Sequence, residues 1–236
     1  ERPSAAELDA DAVLRWALLA PELPRQADVD GPFGQPAIQV YSTPRWYIEV
    51  LHWLDGTTAI HQHSFAGAFH VLAGSSIHAR YEFAEDRRYG ARLRLGRLTQ
   101  TDVEWLQRGA IRPIHSGAAL IHSLFHLDRP SVTVVVRTTH VADAFPQLSY
   151  AAPGLAFDPF HRTEQLARRL QICDALARLD HPDLADLLGC AYADPDPFAS
   201  TQSILKTAAR LRPALVGGVL ERFRRLLPDK RVVTPD

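Results

Sequence analysis

Cysteine is nearly missing from this chain of 236 residues: Cys173 and Cys190 are the two it has. Two thiols make neither a disulfide framework nor a paired-cysteine zinc site, so a reducing, cytoplasmic setting is the default expectation. An excess of either charge is missing too. Twenty-six basic residues face 27 acidic ones, for a formal net charge of -1, and no nucleic-acid or membrane partner is expected. No apolar run approaches the roughly 20 residues that span a bilayer. No signal-peptide pattern opens the sequence, which begins at Glu1. Methionine does not occur at all, and the sequence supplies no reason for it. Also lacking are a Gly-x-Ser-x-Gly elbow, a Walker loop and a dinucleotide-binding glycine fingerprint, which removes the corresponding hydrolase and nucleotide-dependent chemistries.

What the chain does have is histidine. It carries 11, most of them between His52 and His126. The run His61-Gln62-His63-Ser64-Phe65-Ala66-Gly67-Ala68-Phe69-His70-Val71-Leu72-Ala73-Gly74 is the most informative stretch. Two histidines two apart on a strand point to the same face, with Cα atoms roughly 6–7 Å apart, which suits two imidazoles converging on one ion. The loop Leu54-Asp55-Gly56-Thr57-Thr58 precedes them, and a β-like segment ending at Gly74 follows.

Apolar residues make up 46% of the chain and charged residues 22%, an ordinary globular balance. Three regions separate by pattern. Residues 1–36 read as an N-terminal helix and connector: a capping-box sequence at Ser4–Glu7, then Leu8, Val13, Leu14, Trp16 and Leu18, stopped by Pro21 and Pro24. Residues 37–145 carry short β-type runs at Ile38–Tyr41, Trp46–Trp53, Ala59–His63, Ala68–Leu72, Ile77–Phe83, Ala91–Gln100, Ala119–Phe125 and Ser131–Thr138. Many short strands without intervening helices predict an antiparallel sandwich or barrel. Residues 146–236 read as a helical extension over Thr163–Leu179, Asp183–Ala191, Ser200–Leu211 and Leu215–Leu227. These helices look too poor in apolar residues for a core of their own, so they are expected to pack on the barrel or on a second subunit.

A third ligand must come from another strand. His122, in the β-patterned run Gly117–His126, is the first choice, with His126 or His115 as alternatives. Three neutral imidazoles suit Fe(II), Ni, Cu or Zn and leave coordination positions open for substrate and O2 or water.

These residues resemble the first motif of the cupin superfamily, in which a Gly is followed by His-x-His and then by a Glu seven residues before a Gly. Gly56, His61, His63 and Gly74 fit, with the Gly56–His61 gap one residue shorter than usual, and Gly67 stands at the Glu position. Replacement of that Glu is similar to the three-histidine thiol dioxygenases. Bacterial 3-mercaptopropionate dioxygenase-like members have a Gly there and cysteine dioxygenases of mammalian type a Cys. Over residues 37–140 the resemblance implies a cupin double-stranded β-helix with His122 as the second-motif histidine. It implies a mononuclear non-haem iron dioxygenase, an oxidoreductase, with Fe(II) first among metals and Ni, Mn, Cu or Zn as alternatives. The chain departs from that pattern in several places. Gly117 precedes His122 by five residues rather than three, His126 replaces the usual Asn, and Thr133, Val135 and Arg137 replace the family's Ser-His-Tyr relay.

The remaining residues admit two readings each. Arg137, at the end of a Val-rich strand, is the first candidate to bind an anionic substrate, and Arg45, beside Trp46 and Tyr47, the second. His126 is assigned a supporting role at the substrate site. His52 and His78 read as structural, His70 as outward or packed, Glu49 equally as a packed ion pair or a site residue, and Cys173 as core. The expected partners are a small molecule and O2, with a homodimer as the candidate assembly. A metal-dependent isomerase or lyase, or a non-enzymatic ligand- or metal-sensing module, is the alternative function.

Overall fold

The computed structural model describes residues 10–27, 33–54, 58–139 and 146–208, together with Val29, Gly56, Leu211, residues 215–219 and Glu221. The capping-box sequence Ser4–Glu7 and the loop residues Asp55 and Thr57 lie outside the described residues, as does the chain after Glu221.

The chain divides into two compact units, Glu1–Pro159 and Phe160–Asp236. In chain order the first contains α1 (Ala10–Leu19), β1 (Ala37–Ser42), β2 (Trp46–Trp53), β3 (Ile60–His63), β4 (Gly67–Ala73), β5 (Ser76–Arg88) and β6 (Leu93–Leu106). It continues with β7 (Ile111–Ile114), β8 (Gly117–His126), β9 (Ser131–Thr138), β10 (Ser149–Ala151) and β11 (Leu155–Phe157). One sheet has the order β1-β2-β9-β4-β7. The other, β10-β11-β6-β5-β8-β3, closes into a barrel because β10 also pairs with β3. This is the mainly β jelly-roll barrel expected from the sequence, with helices at the termini. No helix among the described residues is long and apolar enough to cross a membrane.

The sequence explains the layering. Strand β9, Ser-Val-Thr-Val-Val-Val-Arg-Thr, is dense in β-branched residues, which suit a strand paired on both sides, and it lies between β2 and β4. In β2 the odd-numbered side chains turn inward. Leu51 and Trp53 join Phe65, Phe69, Leu106, Leu124 and Val135 in one core cluster. Val50 joins Ile38, Val132, Val134 and Val13 of α1 in another. The sheet is therefore covered on both faces, which is why β2 is buried almost throughout.

Strands β10 and β11 fall within the region expected to be helical extension. They pair with β3 and β6, and Leu148, Tyr150 and Ala156 pack with Ile121. The sheet unit therefore runs to Pro159 rather than stopping near residue 145. The second unit holds α2 (Glu164–Arg178), α3 (Leu184–Tyr192) and α4 (Pro197–Thr207), and residues 215–219 are helical as well. Thr163 caps α2, and Asp196 with Pro197 starts α4. Cys173, Ala177, Leu184, Leu188, Tyr192 and Val219 form a core within this unit, contrary to the expectation that the helices lack one. Small residues and a tyrosine supply contacts that a search for leucines overlooks. Along α2, Leu166 and Leu170 are buried and Leu176 packs partly buried against this core, while Ile172 and the capping Leu179 are exposed.

Candidate metal centre

Strands β3 and β8 bring the histidines together. His61 stands directly across from His122, and the ladder slips before His63, which pairs with Gly117. Gly117 has φ +66, a conformation most residues avoid, and it opens β8 at the point of that slip. All three imidazoles are buried, and one donor nitrogen from each lies within 4.8 Å of the other two. Among the described residues this cluster contains no carboxylate.

Local bonds decide which nitrogens face one another. The His61 Nδ1–H donates to the Ala59 carbonyl at 2.7 Å, leaving a buried Nε2 with no hydrogen-bond partner. The Nε2 atoms of His63 and His122 stand 2.8 Å apart. Two nitrogens bound to one ion at roughly 2.0–2.1 Å are about 3 Å apart when nearly at right angles. The orphaned His61 nitrogen and this close pair make the three residues a set that could hold a divalent cation.

Burial also sets their charge. It pushes the imidazole pKa of His61 down, and that of His63 well below the ordinary value, with the nearby His61 and Arg137 adding to the second shift. Burial is the largest cause of the strong depression at His122 as well, ahead of the surrounding histidines. The three are neutral near pH 7, the state in which a histidine offers a lone pair to a metal.

Gly67 explains the missing fourth ligand. A Cβ placed on it would stand 2.1 Å from the Val136 carbonyl oxygen and 2.9 Å from the Arg137 Cα. The backbone leaves no room there for a glutamate, or for any side chain.

A cavity opens between the two sheets beside the histidines. Leu51, Trp53, Phe65, Phe69 and Val135 provide much of its wall, and Glu49, Thr133 and Arg137 its polar part. Phe33, from the segment before β1, packs edge-on to Trp53 and His61 with ring centroids 5.2 and 5.4 Å away.

Arg137, at the end of β9, is partly buried and lines the cavity. Its guanidinium carbon sits 4.3 Å from the centre of the Phe65 ring and 4.7 Å from that of Tyr47, and its Nε is 3.2 Å from a carboxylate oxygen of Glu49. Arg45 is exposed and does not line the cavity. His126 does not line it either. It stacks on Trp53 at 4.7 Å and shares a 2.9 Å hydrogen bond with the Ser76 hydroxyl, so it backs the wall. His115 is exposed. His52 is buried with Nδ1 3.2 Å from the Pro36 carbonyl, and His70 is partly buried; neither belongs to the cluster.

His78 is the residue that sequence reasoning missed. It is buried, and its Nε2 lies 2.8 Å from the His122 Nδ1. Its Nδ1 lies 2.8 Å from Glu104 Oε1, and Glu104 in turn accepts from Arg112 at 3.0 Å. Arg112, and then His78, hold the Glu104 carboxyl down at about 2. Burial outweighs that carboxylate and lowers the His78 pKa, so the contact is a hydrogen bond from a neutral imidazole rather than an ion pair. Strand β5 pairs with β8 without a register shift, so Ser76 and His78 share the face of His122 while Ile77, Ala79, Tyr81 and Phe83 take the other face.

No family model matches the chain, and no curated protein matches it. Its structural neighbours are cupin-fold proteins at low overall similarity. Hydroquinone 1,2-dioxygenase from Sphingomonas sp. TTNP3 aligns over 47% of this chain and 70% of its own, with 11% identity and a TM-score of 0.37. A cupin-2 domain protein from Shewanella frigidimarina aligns over 57% and 96%, with 11% identity and a TM-score of 0.33. The DMSP lyase DddQ from Ruegeria pomeroyi aligns over 57% and 64%, with 16% identity and a TM-score of 0.37.

Proposed function

We propose that the chain is a mononuclear non-haem iron dioxygenase acting on a small substrate, with the ion held by His61, His63 and His122. The observation that carries this reading is the convergence of three buried, neutral imidazoles with no carboxylate among them. The resemblance of the His61–Gly74 run to three-histidine thiol dioxygenases, carried by some of the same residues, agrees with this reading. Ferrous iron held there would supply the redox chemistry that O2 needs to react with an ordinary organic molecule, with coordination positions left for other groups.

The chain's own residues do the rest. The aromatic and aliphatic walls exclude water, which strengthens every electrostatic contact inside. Arg137, backed by two rings, can bind the anionic end of a substrate. Its pairing with Glu49 holds the guanidinium at the cavity wall. With Arg45 on the surface, the anionic-substrate proposal rests on Arg137 alone.

A second reading, a metal-dependent lyase or isomerase, is favoured by Glu49, a buried carboxylate lining the same cavity and able to take a proton. One experiment separates the two. Purified protein is loaded anaerobically with Fe(II), and O2 uptake is followed over a panel of small thiols and carboxylic acids. The dioxygenase reading predicts iron-dependent uptake matched mole for mole by oxidised product and absent from His61→Ala/His63→Ala. Substrate turnover without O2 uptake would overturn it in favour of the second reading. No turnover of any member by protein that binds iron would count against both.

A further inference from the structure

The row Arg112, Glu104, His78, His122 runs from the edge of the sheet unit to the proposed metal ligands. Its hydrogen bonds have one consistent direction. Glu104, an anion held by Arg112, can only accept, so the proton in the 2.8 Å contact belongs to the His78 Nδ1. A neutral His78 protonated there has a bare lone pair on Nε2. That nitrogen is 2.8 Å from the His122 Nδ1, so His122 must be the donor. With its proton on Nδ1, His122 presents an unprotonated Nε2, which is the nitrogen that meets His63 at 2.8 Å. An ion on the His122 Nε2 likewise requires its proton on Nδ1, and the His78 Nε2 at 2.8 Å stands where an acceptor for that proton is needed.

The geometry points to His78 as a positioning residue: through the carboxylate of Glu104 it fixes the proton of His122 on Nδ1 and turns the Nε2 lone pair toward the metal. This rests on the metal reading above. The two strands that supply the relay, β5 and β6, contribute no ligand, and Glu104 lies opposite His78 in their ladder. His61 gets the same service from a backbone carbonyl, that of Ala59. For His122 the acceptor is a side chain, which makes its role open to substitution. Carboxylate–histidine partners of this kind orient metal ligands and raise their basicity, and their loss typically weakens metal binding about 10–100-fold.

The test uses the full chain, stripped of metal and titrated with cobalt(II). Affinity is measured by calorimetry, and the exchangeable, paramagnetically shifted ligand N–H signals are recorded by proton NMR. Wild type should bind about one ion per chain, and His63→Ala should bind far more weakly. His78→Leu should weaken binding about 10–100-fold and move or abolish one shifted N–H signal. His78→Gln, whose side-chain carbonyl can accept the same proton, should recover most of the affinity and that signal. A merely structural His78 would lower the melting temperature of the metal-free protein in both variants and leave both equally weak binders. Unchanged affinity and signals in His78→Leu, or equal losses in both variants, would overturn the relay while leaving the metal site standing. If His78→Leu does not fold, Glu104→Gln decides. Its side chain is partly exposed, it should weaken cobalt binding several-fold and shift the same signal, and no change in either would overturn the relay. Wild type and His63→Ala binding cobalt alike would sink the metal reading, and the relay with it.

Discussion

Buried imidazoles set the pH response at the scale of single residues. His126 is the clearest case outside the proposed ligands. Burial lowers its pKa to about 4, against an ordinary value of 6.5. The unfolded chain therefore takes up a proton from this group at higher pH than the folded protein does. Stability from His126 is fully present above about pH 6.5 and is lost as pH falls toward 4. Urea denaturation of metal-free protein should show stability falling across that window, and His126→Phe should have a shallower slope. An equally steep slope in the variant would refute the assignment. Arg137 gives a second prediction. Removing its charge as Arg137→Gln leaves Glu49 buried without this cation, a change that costs about 3–5 kcal/mol at such sites. Pairing it with Glu49→Gln should restore much of the stability while the apparent KM for a carboxylate substrate stays raised. A double variant no more stable than the single one would show that the pair is not the source of the loss. Both Glu49 and Arg137 were legible in the sequence as a possible ion pair and a possible inward cation. What could not be read was that they pair with each other, since that depends on the β2–β9 register placing Tyr47 across from Arg137.

Among the elements, strands with regular alternation were legible and irregular ones were not. Trp46–Trp53 and Ser131–Thr138 occur where β-branched and aromatic runs put them. Strand β7, Ile111-Arg112-Pro113-Ile114, carries a proline and lies at a sheet edge, the place where a missing N–H is tolerated. Strands β10 and β11 are three residues each, too short for any periodicity. His78 lies on the face of β5 opposite the apolar Ile77, Ala79, Tyr81 and Phe83, and its contacts with His122 and Glu104 depend on pairing with strands distant in sequence, so its part in the site was not legible. Gly67 makes a prediction at this scale. Its position in the β4–β9 ladder leaves no space for a Cβ, so Gly67→Ala should destabilise by at least about 1–3 kcal/mol, read as a fall in melting temperature. Gly67→Glu should gain no fourth ligand. A stable Gly67→Glu protein binding metal more tightly than wild type would contradict this account of the site.

Taken whole, the molecule places its histidine cluster in a unit that has its own cores and ends at Pro159. The strand that carries His61 depends on β10 for one of its two neighbours. A chain ending at Pro159 should therefore melt cooperatively and still bind metal. One ending near Thr138 should lose both, because β3 would be left as an open edge. If the shorter chain binds metal as tightly as the longer one, β10 does not support the site. The most direct test of the central claim is metal analysis of freshly purified, untagged protein by inductively coupled plasma mass spectrometry, alongside His61→Ala/His63→Ala. The three-histidine centre predicts about one divalent ion per chain in wild type and background levels in the double variant; full metal retention in that variant would contradict it.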